Sequence, residues 1–159
     1  MVIKRHEINP SHVYSYHKEG FSPGGGLYAY NLKTKTLREL VNSAEGQIND
    51  CNISYDGKQI LFSWKKSPKE EFQVYRINVD GSGLLCLTDT SSSNINPCWL
   101  PDGGFAFLSD RKPAYAYCMT STVPILYRAD KDGKKVNKLS SNYLNDFTPS
   151  VMDDGKIIY

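Results

Sequence analysis

Three Asp-Gly pairs stand at residues 56–57, 102–103 and 154–155, spaced by 46 and 52 residues, and each leads into an apolar run. The runs "ILF", "FAF" and "IIY" end at Phe62, Phe107 and Tyr159, the first displaced by one residue, as a β-bulge would displace it. A chain that repeats itself at this period builds one small unit several times over, and neighbouring units bury one another. The stretch "WLPDGGFAF", residues 99–107, makes the turn chemistry explicit. Pro presets the approach, and Asp and Gly accept the left-handed backbone angles that a two-residue hairpin needs.

A second set of positions repeats at 47 and 52 residues. Leu27-Tyr28, Val74-Tyr75 and Leu126-Tyr127 are followed by Asn31, Asn78 and Asp130, then by the turn pairs Lys33-Thr34, Asp80-Gly81 and Asp132-Gly133. The apolar pairs Leu37 and Leu40, Leu84 and Leu87, Val136 and Leu139 close the series. The repeat also decides a local ambiguity. "LRELVNSA" alone fits a short amphipathic helix, but its counterparts "LLCLT" and "VNKLS" carry β-favouring residues and no helical stripe, so residues 36–41 read as strand.

Each period thus holds four short strands. The first falls near 50–54, 97–100 and 148–152; the second near 58–64, 104–109 and 156–159. The third falls near 26–31, 72–78 and 124–130; the fourth near 36–41, 83–88 and 135–139. Four antiparallel strands in about 40–50 residues are the pattern of a β-propeller blade. The expected fold is all-β: a lead-in segment over 1–25, then blades over 26–159 as a half, two wholes and a half. About three blades fall short of the four to eight of a closed ring, so the chain reads as a fragment of a larger propeller. Tyr28, Tyr75, Tyr127, Phe62, Phe107 and Trp99 are expected to pack blade against blade, and open blade edges invite self-association.

Composition narrows the function classes. The 159 residues carry a formal net charge of +2, too near neutrality for a nucleic-acid binder. The basic cluster "WKKSPKEE" has its own acids beside it and reads as a solvated loop. No apolar run approaches the roughly 20 residues of a membrane span, and "MVIKRHEINP" lacks the apolar stretch of a secretory signal. Cys51, Cys86, Cys98 and Cys118 follow no zinc pattern and read as buried or incidental thiols, with one disulfide involving Cys118 as the alternative.

The stretch "LTDTSSSNINPCWLPDGGFAFLSDR" resembles the repeat of TolB-like propellers, where Leu-Thr ends one blade, Pro-x-Trp-x-Pro-Asp-Gly opens the next and Phe-x-Ser-x-Arg follows. The longer pattern, from "HVYSYHKEGFSPGGGLY" through "FLSDRKPAYAYC" to "LYRADKDGKKVNKLSSNYLNDFTPSVMDDGKIIY", is similar to hydrazine synthase alpha-subunit-like proteins. The resemblance implies a bacterial, periplasmic propeller that sits among other domains. Hydrazine synthases attach c-type haem through C-x-x-C-H; this sequence has no such motif, so no haem and no other cofactor is expected.

In such a blade the turns after the first and third strands share one face, and the Asp-Gly pairs all lie there. The opposite face gathers loops that are polar, aromatic and unequal in length, the kind that carries function on a rigid scaffold. Asp50, Asn96 and Asp146 are expected to converge there near the central channel, with Arg111, Tyr115 and Tyr117 at its rim; the alternative is that the Asn and Asp cap strand ends. The expected partner is a protein or small ligand on that loop face. His6, His12 and His17 are the metal candidates, but spacings of six and five suit neither H-x-x-x-H nor a zinc finger, so no metal is expected. Asp130-x-Asp132-Gly133 mimics a calcium loop without its downstream Glu and reads as a turn. No catalytic constellation is placed at a recognisable spacing.

Overall fold

Successive side chains along a strand point to opposite faces, so a strand buried on both faces must feed two cores. Residues 105–109 do this: Phe105 and Phe107 enter one cluster, Ala106 and Leu108 another, and all four are fully buried. Residues 60–62 repeat the arrangement, with Ile60 and Phe62 on one side and Leu61 on the other. The structure, a computed structural model, describes residues 1–13, 15–112, 114–117 and 120–159, and the backbone alone of Tyr16.

Among the described residues the strands group into four antiparallel sheets. The first is β1 (Val2–Lys4), β2 (Gly26–Asn31) and β3 (Thr36–Asn42), with the short helix α1 (Tyr16–Glu19) between β1 and β2. The second is β4 (Gln47–Ile53), β5 (Gln59–Lys65), β6 (Gln73–Asn78) and β7 (Leu85–Cys86), in that order. The third is β8 (Asn94–Trp99), β9 (Phe105–Ser109), β10 (Ile125–Ala129) and β11 (Asn137–Lys138), again in chain order. The last is the hairpin of β12 (Ser150–Val151) and β13 (Ile157–Ile158). These are propeller blades, stacked face to face through three apolar layers: Leu27, Val41, Ile60 and Phe62 between the first two sheets, Leu61, Val74, Phe107 and Tyr127 between the next two, and Leu108, Leu126, Val151 and Ile157 between the last two.

The repeat positions match the stack. Residues 36–42 are strand, as the alignment requires. Phe62 faces Tyr75 across the β5–β6 pair, and Phe107 faces Tyr127 across β9–β10, with ring centroids 5.7 and 6.1 Å apart. A cation also stands over each third-strand tyrosine: Lys4 over Tyr28 at 5.6 Å, Lys66 over Tyr75 at 5.0 Å and Arg111 over Tyr127 at 5.0 Å. Such contacts are worth about 0.5–2 kcal/mol.

Several expectations need correction. Tyr28 is only half-buried, because the first sheet has a neighbour on one face alone; its hydroxyl donates to Glu39 at 2.9 Å. β4 and β8 each start three residues earlier than expected, since bulges at Ile48/Asp50 and Ile95/Cys98 break the alternation that marks a strand. The fourth strands expected over 83–88 and 135–139 shrink to two residues each, and Leu84 is 46% exposed. Val2–Lys4 pairs with Gly26–Tyr28, taking the second-strand place in the first sheet, so residues 5–25 connect a second strand to a third. No helix among the described residues is long and apolar enough to cross a membrane. Cys51, Cys86 and Cys98 are free thiols, and Cys118 lies outside the described residues.

The Asp-Gly turns are longer than two-residue hairpins. Gly103 donates to the Leu100 carbonyl at 3.0 Å and Leu100 to the Gly104 carbonyl at 2.9 Å, a tight turn followed by one left-handed residue. Gly103 alone takes the positive φ, 82°, while Asp102 accepts from the Gly104 amide at 3.0 Å. An added Cβ at Gly103 meets nothing within 4 Å, whereas at Gly133 it lies 2.0 Å from the Leu87 carbonyl oxygen. Gly103→Ala is therefore expected to cost about 1 kcal/mol, the left-handed strain alone, and Gly133→Ala about 3 kcal/mol through forced backbone movement. Urea titrations of the two variants check the order; equal losses would contradict it.

Candidate functional site

The long connections between second and third strands all emerge on the side opposite the Asp-Gly turns, and three of them meet. From the first sheet comes residues 5–25, carrying α1. Glu19 ties this segment to itself, accepting from the Ser11 amide, the Ser11 hydroxyl and the Ser15 hydroxyl at 2.8, 2.6 and 2.8 Å. Those donors hold its carboxyl below the usual range. Ser22 then donates to the Gln47 side chain at 2.7 Å, and Gly24 to the Gly46 carbonyl at 2.9 Å, so the segment is pinned to the start of β4.

At the meeting point Lys18 reaches two acids from two other sheets. Its Nζ lies 2.9 Å from Glu71, just before β6, and 3.2 Å from Asp110, just after β9. Asp110 is 8% exposed, with Thr122 donating to it at 2.6 Å, the Ser93 amide at 2.8 Å and His17 Nε2 standing 3.7 Å away. Burial pushes its carboxyl up, but the contacts with His17, Thr122 and Lys18 outweigh this and hold it below the ordinary carboxylate range. Glu71 accepts from the Ser93 hydroxyl as well. A removed partner would leave Asp110 as an uncompensated buried charge, which is what makes the cluster a lock between connections. Sequence reading missed Lys18, Glu71 and Asp110. Their one sequence signal is that Glu71 and Asp110 flank strands on the loop side; Lys18, inside α1, has none.

The expected site residues divide. Asp50 and Asn96 do come together, across the two first strands: Asp50 Oδ2 accepts from the Asn96 amide and side chain, both at 3.1 Å, and from the Ser63 hydroxyl at 2.6 Å. Asn96 sits at φ 49°, inside the bulge that turns its amide toward Asp50. Two residues along the strand, Asn52 accepts from the Trp99 amide at 3.1 Å, so Asp50 and Asn52 lace β4 to β8. Asp146 goes elsewhere: it accepts from the Leu126 amide at 2.7 Å and from Asn142 at 2.6 Å, closing the end of β10. The position 52 residues beyond Asn96 is Thr148, which shares its positive φ.

Arg111 is no free rim residue. It stacks on Phe107 and Tyr127 and donates to Ser109 at 3.0 Å and Asn94 at 2.9 Å, and burial lowers its pKa. Tyr115 is 56% exposed and bridges to Thr122. Tyr117 is 74% exposed and packs on Tyr143, itself 67% exposed, with ring centroids 5.4 Å apart. The histidines serve separate contacts: His6 lies against Gly24, His12 shares a hydrogen bond with Ser11 at 3.0 Å, and His17 is buried beside Asp110. Among the described residues no three His, Cys, Asp or Glu side chains gather as a metal site would need. Asp130 accepts from the Lys134 amide at 2.8 Å, which is turn chemistry.

Asp50 has one more property. Its Oδ1 is enclosed and accepts no hydrogen bond from the described residues, and burial, only partly offset by Ser63 and Asn96, raises its pKa to about 6. The unfolded carboxyl titrates near pH ~4. Between these values the folded chain keeps a proton that the unfolded chain has lost, so stability falls as pH rises from about 4 to 6 and stays low above. Asp110, depressed rather than raised, acts in the opposite sense and loses its contribution at more acid pH. The melting temperature of Asp50→Asn relative to wild type is therefore expected to climb between pH 4.5 and 7. A flat difference would contradict the raised pKa.

No family model matches the chain. It is 29% identical over 80 residues to the hydrazine synthase subunit alpha of Kuenenia stuttgartiensis, covering 50% of this chain and 10% of that protein. It is 32% identical over 69 residues to dipeptidyl-peptidase 5 of Porphyromonas gingivalis, covering 40% of this chain and 10% of that one. The chain thus spans about a tenth of the length of these curated relatives. Among solved structures it superposes on Kuenenia stuttgartiensis hydrazine synthase with a TM-score of 0.76 at 18% identity, over 91% of this chain and 25% of that one. On TolB from Acinetobacter baumannii the TM-score is 0.65 at 23% identity, over 84% and 31%. These likenesses establish the propeller fold.

Proposed function

We propose that the chain is a non-catalytic binding module whose working surface is the loop face, centred on the junction of the three second-to-third-strand connections. One observation carries the reading: Lys18, Glu71 and Asp110, from the connections of three different sheets, lock those connections together, and the loop face they brace exposes Tyr115, Tyr117 and Tyr143. Preorganised loops lose little freedom on binding, and exposed tyrosines are the side chains that most often dominate an interface. The likeness to TolB propellers supports a place outside the cytoplasm, and of the two partners expected on the loop face, a protein or a small ligand, the exposed tyrosines favour a protein.

A second reading has its own support. Both relatives named above are enzymes by name, and the matched stretch is about a tenth of each. On that reading the blades belong to a multidomain enzyme and the loop face docks its other domains. The intact mass of the polypeptide in its native host separates the two.

The binding reading is tested by photo-crosslinking in the native host from position 117 on the loop face and from position 154 on the turn face. Adducts from 117 alone support it; adducts from 154 alone contradict it. With the partner in hand, Tyr117→Ala is expected to weaken binding by about 1–3 kcal/mol and leave melting unchanged. Asp102→Ala is expected to do the reverse, since Asp102 pairs with Arg128 and holds the Gly104 amide.

A further inference from the structure

The turn face contains an asymmetry between two blades that are otherwise copies. Arg76 on β6 and Arg128 on β10 are third-strand equivalents 52 residues apart, and Asp56 and Asp102 are turn equivalents 46 apart. In the third sheet the pair meets, Arg128 donating to Asp102. In the second sheet it does not. Asp56 accepts from the Ser54 hydroxyl at 2.7 Å and the Lys58 amide at 3.0 Å, with Lys58 Nζ 3.8 Å away. Arg76 donates once, to the Lys131 carbonyl at 2.9 Å, and among the described residues it is paired with no carboxylate.

Arg76 borders a cleft of about 340 Å³ between the second and third sheets, walled by Tyr55, Trp99, Leu100, Pro101 and Lys131, with the Asp56 carboxylate also at its wall but held by Ser54 and Lys58. Trp99 is 6% exposed, and its indole N–H is buried without an acceptor among the described residues. Tyr55 is 68% exposed, its hydroxyl 3.4 Å from the Trp99 carbonyl. Lys131, in the exposed turn after β10, adds a second positive charge with no ion pair among the described residues.

We propose that this cleft binds an aromatic carboxylate. A guanidinium lacking its acid presents planar donors matched to a carboxylate, which takes the role that Asp102 plays toward Arg128 one blade on. The tyrosine, tryptophan and proline surfaces take a flat apolar body. The volume lies at the lower end of the roughly 300–1,000 Å³ of small-molecule sites, which suits one or two rings. Such a group comes either as a free small acid or as the aromatic C-terminal residue of a peptide; the recognising chemistry is shared.

The chain has two tryptophans, so ¹H–¹⁵N spectra carry two indole signals, and the Trp64 indole already donates to Ser43. The probes are indole-3-carboxylate, its carboxamide, and a pentapeptide ending in a free phenylalanine carboxylate. At least one carboxylate is expected to shift the Trp99 indole and leave Trp64 in place, with the carboxamide about tenfold weaker or more. Arg76→Gln is expected to lose about tenfold in affinity, and Lys131→Gln, in an exposed turn where folding is not at stake, about threefold. Saturation by the small acid identifies a free ligand; saturation by the peptide alone identifies a chain terminus. No Trp99 shift with either carboxylate, equal affinity for acid and amide, or unchanged affinity in both variants overturns the proposal.

Discussion

The two-sided burial of the middle strands is the constraint on which the rest depends. β5 and β9 have no solvent face, so Ile60, Phe62, Phe105, Phe107 and Leu108 each enter a layer between sheets. Each such side chain contributes about 2 kcal/mol on burial, whereas in a partly buried ion pair such as Lys18–Asp110 the cost of desolvation offsets much of the attraction. The stack of sheets, not the charged network on its loop face, therefore holds the fold. The same argument explains the loosening at both ends: the first sheet and the β12–β13 hairpin each have a neighbour on one face only, and Tyr28, Met152 and Ile158 are partly or largely exposed.

With the blades fixed by apolar layers, polar residues are free to set the spacing of the two faces. Asp50 and Asn52 lace the first strands to each other, and Asp146 closes β10. Cations over the third-strand tyrosines brace the edge of each blade. On the turn face these links run from one sheet's arginine to the next sheet's turn, Arg38 to the Val79 and Asp80 carbonyls and Arg76 to that of Lys131. On the loop face they run between sheets, through Lys18, Glu71 and Asp110, and so convert three separate connections into one surface.

Legibility in the sequence followed periodicity. Residues 26–31, 36–41 and 104–109 were readable because their apolar positions recur at a fixed interval, and the helix pattern of residues 36–44 was overruled by its counterparts. β4 and β8 were foreshortened because bulges at Asn49 and Asn96 shift the register and hide the alternation. Val2–Lys4 carries three residues and no turn signal, so its pairing with β2 left no trace to read. Of the candidate site, the meeting of Asp50 with Asn96 follows from the repeat, since the two stand 46 residues apart. The Lys18–Glu71–Asp110 cluster does not follow from it. Its members occupy non-equivalent positions in loops of unequal length, and only their three-dimensional convergence relates them.

The central claim is that the loop face is one preassembled unit locked at Asp110. Hydrogen–deuterium exchange of wild type and Asp110→Asn tests it most directly. The account predicts faster exchange together in residues 15–20, around Glu71 and around Ser93, while β5 and β9 keep their protection. Faster exchange confined to the neighbours of residue 110, with α1 unchanged, would contradict it.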